Sequence, residues 1–217
     1  MSIDSTASQR GLFIVFEGGD GAGKSTQVDM TRQWLENRGS RVATTREPGG
    51  TQIGEKLRSL VLEHGHGEID SRTEALMYAA ARAAHVQQFI KPKLESGTHV
   101  ICDRFVDSSL AYQGMGRALG FDAVASINDF ATSGLKPDVT IILDISAADG
   151  RARRIAATDG VEQADRLEAE PDEFHERIRN AFLELAAKDP QRYLVIDATG
   201  GIAQLQEQIT THLAGLL

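Results

Sequence analysis

The segment Gly18-Gly-Asp-Gly-Ala-Gly-Lys-Ser25 matches the pattern G-x-x-x-x-G-K-[ST] at every position. An apolar run, Leu12–Phe16, precedes it and a helical pattern from Lys24 follows it, which is the strand–loop–helix context the pattern requires. Glycines let the backbone wrap closely around a polyphosphate with its N–H groups turned inward, and the following helix adds the positive end of its dipole. Lys24 would then reach the β- and γ-phosphates, while the Ser25 hydroxyl would take a position on Mg²⁺. The competing reading is a glycine-rich turn that happens to contain Lys-Ser, and the flanks weigh against it. The residues therefore point to a nucleoside triphosphate bound with Mg²⁺.

The loop alone does not choose among GTPases, ATPase machines and small kinases. A guanine-reading N-K-x-D segment is absent from the sequence. Asp197-Ala-Thr-Gly200 imitates a switch D-x-x-G but falls after the place where N-K-x-D would stand. A downstream glycine-rich transporter signature is missing as well. A small-molecule kinase with its acceptor site inside the chain is the favoured reading.

Further segments narrow it. Phe16-Glu-Gly-Gly-Asp-Gly-Ala-Gly-Lys-Ser-Thr26, Thr45-Arg-Glu-Pro-Gly-Gly-Thr51, Asp103-Arg-Phe-Val-Asp-Ser-Ser-Leu-Ala-Tyr-Gln-Gly114 and Asp165-Arg-Leu-Glu168 occur in this order. Together they resemble bacterial thymidylate kinases, members of the P-loop nucleoside monophosphate kinases, from about Leu12 to the C-terminus. The resemblance implies transfer of the ATP γ-phosphoryl to dTMP, giving dTDP for dTTP synthesis, by direct in-line displacement with Mg²⁺. It implies ATP contacts from Gly18, Gly19, Asp20, Gly21, Ala22, Gly23, Lys24, Ser25 and Thr26. It also implies that Arg104 holds the acceptor 5′-phosphate, with Asp103 organising Mg²⁺ partly through water. Asp20 occupies a variable position of the loop; by resemblance it lies near the acceptor or a metal-bound water, and otherwise it is a solvated acid. Glu47 and Pro48 are expected to shape the acceptor wall. Arg58 fits a surface role nearly as well as a site role.

Tyr78 and Arg82 are four residues apart in a helical stretch and so share one face. A ring beside a guanidinium can stack on a pyrimidine and donate to its carbonyl edge. Spacing alone fits a core aromatic with an exposed arginine better; the resemblance implies that Tyr78 stacks on thymine and Arg82 bonds its exocyclic oxygen. Many members carry phenylalanine at the first of these positions. Ser108, Ser109, Tyr112 and Gln113 share a helix face after Asp103, and the resemblance assigns that face to the base edge and deoxyribose. Ser109 and Gln113 are candidates for the base, and Tyr112 for excluding a 2′-hydroxyl. Of the lid arginines, Arg153 matches the family best and Arg154 is adjacent, while Ile155, Ala157 and Thr158 replace later basic positions. Ala22 stands where some relatives carry a basic residue, so the transition-state cation is expected from the lid.

Short apolar runs alternate with helical stretches and must position these residues. Strands are expected at Leu12–Phe16, Arg41–Thr45, Thr98–Cys102, Val139–Asp144 and Tyr193–Asp197. Helices are expected from Lys24 to about Asn37, over Thr51–Glu63 and Ser71–Glu95, and from Ile202. In the first helix Val28, Met30, Trp34 and Leu35 are the expected buried positions, with Gly39 as its stop. Strands buried on both faces and separated by helices imply βαβ units and a parallel sheet. The fold expectation is therefore a three-layer α/β/α domain over 11–217 with a five-stranded parallel sheet. Arg151–Glu170, with little apolar periodicity, reads as a short lid near 150–170, and residues 1–10 read as a disordered leader.

The 217 residues carry 23 Lys plus Arg against 31 Asp plus Glu, a net charge of −8 that argues against broad nucleic-acid binding. One cysteine, Cys102, excludes an intrachain disulfide and suits a reducing cytosol, hence a cytoplasmic enzyme. No apolar run approaches a membrane span. Cys102 reads as a small core residue, Glu63–Glu68 with its two histidines as a surface turn, and His85 and His99 as lacking an orienting partner. Resemblance implies a homodimer, for which the apolar helices near 71–95 and 105–118 are candidate surfaces. The rivals are a kinase for another nucleoside monophosphate and an ATP-binding regulatory protein without an acceptor site.

Overall fold

The computed structural model describes residues 10–157 and 165–217. The expected leader, except Arg10, and part of the expected lid, including Thr158, lie outside the described residues. Strands β1 (Phe13–Gly18), β2 (Val42–Arg46), β3 (His99–Asp103), β4 (Val139–Asp144) and β5 (Tyr193–Asp197) pair in parallel in the order β2-β3-β1-β4-β5. Three of them begin one residue later than expected, and β1 runs on to Gly18. The register sets Phe16 beside Asp103, Arg46 beside Asp103, and Gly18 beside Leu143. The carboxyl edge of the sheet thus ends in Gly18, Arg46 and Asp103, where open α/β sheets bind ligands.

Both faces of the sheet are covered. Ile14 and Phe16 of β1 join Ile141, Leu143 and Ile196 in a core closed by Leu35 of α1 (Lys24–Glu36) and Leu205, Ile209 and Leu213 of α9 (Ile202–Ala214). The alternate residues Phe13 and Val15 pack the other way, with Val86, Ile90, Leu94 and Phe105. Here α3 (Ser71–His85), a π-helical turn (Val86–Ile90) and α4 (Lys91–Glu95) form one continuous helical run, as the sequence predicts for Ser71–Glu95. Cys102 is fully buried in this layer. A further core gathers Tyr78, Leu110, Tyr112, Phe174, Ile178 and Phe182, joining α3 to α5 (Val106–Ser109) with its π-helical extension (Leu110–Gly116) and to α8 (Asp172–Lys188). Between β2 and α3 lies α2 (Gln52–Leu62); α6 (Phe121–Thr132) and α7 (Ala147–Ala157) flank β4.

Helix α1 departs from its apolar pattern. Its buried residues are Lys24, Gln27, Thr31 and Leu35, while Val28, Met30 and Trp34 are only half-buried. The helix turns a polar face toward α9, where Gln27 Nε2 donates to the Ile202 carbonyl (3.0 Å) and Thr31 pairs with Gln206 (3.4 Å). One hydrogen bond holds each of these side chains while Gln27 Oε1 and Gln206 Nε2 are buried without a partner, so the face is polar and only partly satisfied, and the apolar stripe does not by itself choose the inner face. Trp34 is instead covered by the Arg38 guanidinium, 4.5 Å from its ring centre.

Candidate active site

The phosphate loop joins β1 to α1 through Gly18–Gly23, and Gly23 (φ 90°) caps α1 in the left-handed region. Gly21, also at positive φ (79°), touches the backbone of α7: a Cβ there would stand 2.1 Å from the Gly150 carbonyl oxygen. The loop and the helix carrying the lid arginines are therefore in direct backbone contact. Lys24 is almost fully buried, its Nζ donating to the carbonyls of Gly18 (3.1 Å) and Gly19 (2.9 Å) and lying 3.9 Å from Asp20. Burial and the nearby Arg104 push the lysine pKa down, against the pull of Asp103, Asp20 and Glu17.

A cavity of about 1880 Å³ opens over this loop, lined by Asp20 through Thr26 together with Asp103, Arg104, Arg153 and Arg154. Gly18 and Gly19 lie beneath it, as the carbonyl anchors of Lys24. Arg153 donates to the Ala198 carbonyl (2.8 Å). Arg154 pairs with Glu168 (3.1 Å), and Arg151 pairs with Asp172, away from this cavity. Asp103 Oδ1 is buried without a hydrogen-bond partner, and the Ser25 side chain is exposed on the same cavity. An orphaned carboxylate oxygen and a hydroxyl lining one cavity are oxygen donors of the kind that suits a hard cation such as Mg²⁺. The segment 151–157, the first part of the expected lid, is the second half of α7.

Arg104 follows β3 with φ 68°, a strained conformation for a non-glycine residue. Its guanidinium meets Asp20 (2.6 Å) and Ser108 Oγ (3.2 Å), and it lies 5.4 Å from the Tyr112 ring centre. Burial pushes the Asp20 carboxyl up, but Arg104 and Lys24 outweigh it and hold the pKa near 2. Asp20 is thus a fixed anion between two cations, not a solvated loop acid.

A second cavity, of about 660 Å³, lies on the far side of Arg104 and Asp20. Glu47, Pro48, Tyr78 and Arg82 form one wall, and Ser108, Ser109, Tyr112 and Gln113 another. All the residues expected at the acceptor are therefore brought to one cavity. Arg82 is buried, contrary to what spacing alone suggests: it donates to Glu47 (2.6 Å), Ser109 (2.9 Å), Asn128 and the Phe105 carbonyl (2.9 Å). Four of its five N–H groups are used by the protein, leaving one on Nη2. Glu47 spends its other oxygen on His85 Nδ1 (3.0 Å), whose Nε2 meets Thr45 Oγ1 (2.7 Å). His85 thus has the orienting partners that the sequence did not reveal, and His99 Nδ1 accepts from the Leu12 amide (2.9 Å). Tyr112 OH is buried without a hydrogen-bond partner. Arg58 lines both cavities and donates to the Pro48 carbonyl (3.0 Å).

Several participants lie in the segments that carry the resemblance but were given no individual role. Asp165, Leu167 and Glu168 roof the second cavity, and Glu168 reaches the first as well. Glu17, next to last in the otherwise apolar strand β1, is fully buried and accepts from Phe105 N (2.8 Å), Ser108 N (3.0 Å) and Ser108 Oγ (2.6 Å). It ties down the chain that follows Arg104, at Phe105 and Ser108; a charge inside an apolar strand was the available clue. Burial, with Asp107 nearby, pushes the Glu17 carboxyl from 4.5 to about 7 despite Arg104 and these bonds. Between those values the folded chain holds a proton that the unfolded chain has lost, so stability falls as pH rises through that window. Glu17→Gln lacks this titration. Its stability relative to the parent should therefore rise by up to about 3 kcal/mol between pH 4.5 and pH 8, measured by urea unfolding. A pH-independent difference would contradict it.

The family model for thymidylate kinase matches residues 16–209. A thymidylate kinase of Cutibacterium acnes is 50% identical over 207 residues, covering 95% of this chain and 98% of that protein. One from Enterococcus faecalis is 50% identical over 190 residues, covering 87% and 89%. The crystal structure of a thymidylate kinase from Ehrlichia chaffeensis superposes with a TM-score of 0.75 at 32% identity, covering 94% of this chain and 99% of that one.

Proposed function

Because the chain belongs to the thymidylate kinase family, we propose that it phosphorylates dTMP to dTDP with ATP through the paired cavities described above. The observation that carries this reading is their junction: Asp20, Glu47, Arg58, Arg104 and Glu168 line both. A donor γ-phosphoryl over the phosphate loop and an acceptor phosphate against Arg104 would meet there. Two polyanions repel, so the residues at the junction must supply positive charge and fixed orientation.

Lys24 and the loop amides bind the β- and γ-phosphates, and α1 contributes its N-terminal dipole. Arg104 holds the acceptor phosphate, with its guanidinium oriented in advance by Asp20, Ser108 and Glu17. Arg153 supplies lid charge to the transferring group, with Arg154 next to it. Tyr78 stacks on thymine, Arg82 turns its remaining N–H to the base, and Ser109 and Gln113 complete that edge. Tyr112 closes the space beside the deoxyribose 2′ carbon. Ser25 and Asp103 would hold Mg²⁺, which supplies Lewis-acid stabilisation of phosphoryl charge when bound. Nothing here calls for a phosphoenzyme, and transfer is direct and in line.

The chain acts in the cytoplasm in dTTP synthesis, as a homodimer. No described helix is long and apolar enough to cross a membrane. Of the two candidate dimer surfaces, the helical run at 106–116 is mostly core, with Leu110 through Gly114 buried. Exposed apolar residues lie instead on α3 (Leu76) and α6 (Phe130, 89% exposed), two helices that pack together, and a second copy would cover these.

The test is ADP release in a coupled assay with dTMP, dUMP, dCMP, UMP, CMP, AMP and GMP. The expected order puts dTMP first. Best turnover with UMP or AMP would overturn the acceptor assignment. ADP release that no monophosphate raises above background would overturn the kinase.

A further inference from the structure

Glu74 stands in the first turn of α3, one turn before Tyr78, and its side chain is fully buried. A carboxylate so deep needs partners, and it has three from distant elements. Its Oε1 accepts from Gln113 Nε2 at 2.9 Å. Arg117 (Nη2 at 3.4 Å) and Arg166 face its Oε2. Arg117 is also held by Glu170 (2.6 Å), and Arg166 Nε by the Val61 carbonyl (2.9 Å).

A primary amide can sit in either of two orientations, with NH₂ and carbonyl exchanged, and only its partners decide which. A carboxylate can only accept, so it fixes Gln113 with the NH₂ toward Glu74. The amide oxygen is then the atom of Gln113 left for the cavity that this residue lines.

We propose that Glu74 is a positioning residue for base selection, acting through Gln113. With the amide locked, the pocket demands an N–H donor from the base edge. The imide nitrogen of thymine or uracil supplies one; N3 of cytosine presents a lone pair to the same oxygen. The inference rests on the dTMP reading above and deepens it. A buried acceptor left facing a lone pair rejects the wrong base strongly, by 10³-fold or more on the order of other polar-reading sites.

The test compares kcat/KM for dTMP, dUMP and 5-methyl-dCMP in the parent and in Glu74→Gln. The third substrate differs from dTMP only in the 4-amino group and the ring N3. Gln at position 74 can offer an NH₂, so Gln113 is free to reverse. The dTMP/5-methyl-dCMP ratio should fall about 10- to 100-fold, while dTMP/dUMP, which shares one hydrogen-bonding edge, stays within about threefold. A merely structural role lowers all three rates together, and an unchanged dTMP/5-methyl-dCMP ratio would overturn the proposal. If Glu74→Gln does not fold, the charge-balanced E74Q/R117Q carries the same comparison. A parent that phosphorylates neither dTMP nor dUMP would overturn the acceptor reading itself, and the proposal with it.

Discussion

Replacing Arg104 with alanine should lower kcat/KM for dTMP by about 10³-fold, close to 4 kcal/mol of transition-state stabilisation, while ADP affinity changes by less than about threefold. Three features make the loss large. The guanidinium is preorganised: its backbone sits at φ 68°, and Asp20, Ser108 and the Tyr112 ring fix its plane before any substrate arrives. Its removal takes away a cation where two polyanions converge. It also leaves the Asp20 carboxylate without its main counter-charge, so an uncompensated anion now faces the phosphate dianion. Lys24 and the loop amides remain, which is why the nucleotide side is spared. Steady-state kinetics with dTMP varied at saturating ATP, beside an ADP titration, separates the two cavities. An unchanged kcat/KM for dTMP would contradict the role assigned to Arg104.

The parts of this site that the sequence displays are those built from contiguous residues under tight steric rules. The phosphate loop is one: its glycines, Lys24 and Ser25 stand at fixed offsets between an apolar strand and a helix, and the apolar strands that alternate with helices announce a parallel sheet. Strand ends were legible to within one or two residues, enough to place Asp103 and Arg104 at the carboxyl edge. Buried charge was not legible. Composition treats Glu17, Glu74 and Arg82 as surface residues, because burying an ion costs much unless it is paired. Their partners lie far away in sequence: Glu47 is 35 residues from Arg82, Asn128 is 46, and Arg166 is 92 from Glu74. No local window shows such pairs. The same blindness explains α1, whose inner face is polar because α9 supplies partners for Gln27 and Thr31. It also explains His85, whose two partners, Thr45 and Glu47, lie just past the middle of β2 and beyond its end.

Lys24→Met should lower kcat by about 10³-fold or more with little loss of folding stability. Methionine keeps the unbranched apolar stem, so the packing of the first turn of α1 survives. What disappears is the cation whose Nζ the loop carbonyls of Gly18 and Gly19 hold at the mouth of the nucleotide cavity. Two opposing terms keep stability near its original value. The substitution gives up two charge-assisted hydrogen bonds, yet it also relieves an ammonium that burial and Arg104 disfavour. That second term has a signature in pH. The lysine pKa is depressed below 10.5 in the fold, so as pH approaches that value the folded chain releases a proton the unfolded chain still holds. The parent should therefore gain stability relative to Lys24→Met on going from pH 7 toward pH 10. Thermal melts at the two pH values and single-turnover phosphoryl transfer read the two effects separately. A melting temperature lowered by more than about 10 °C at pH 7, comparable to losing a buried core side chain, would mean that Lys24 serves the fold more than the phosphates.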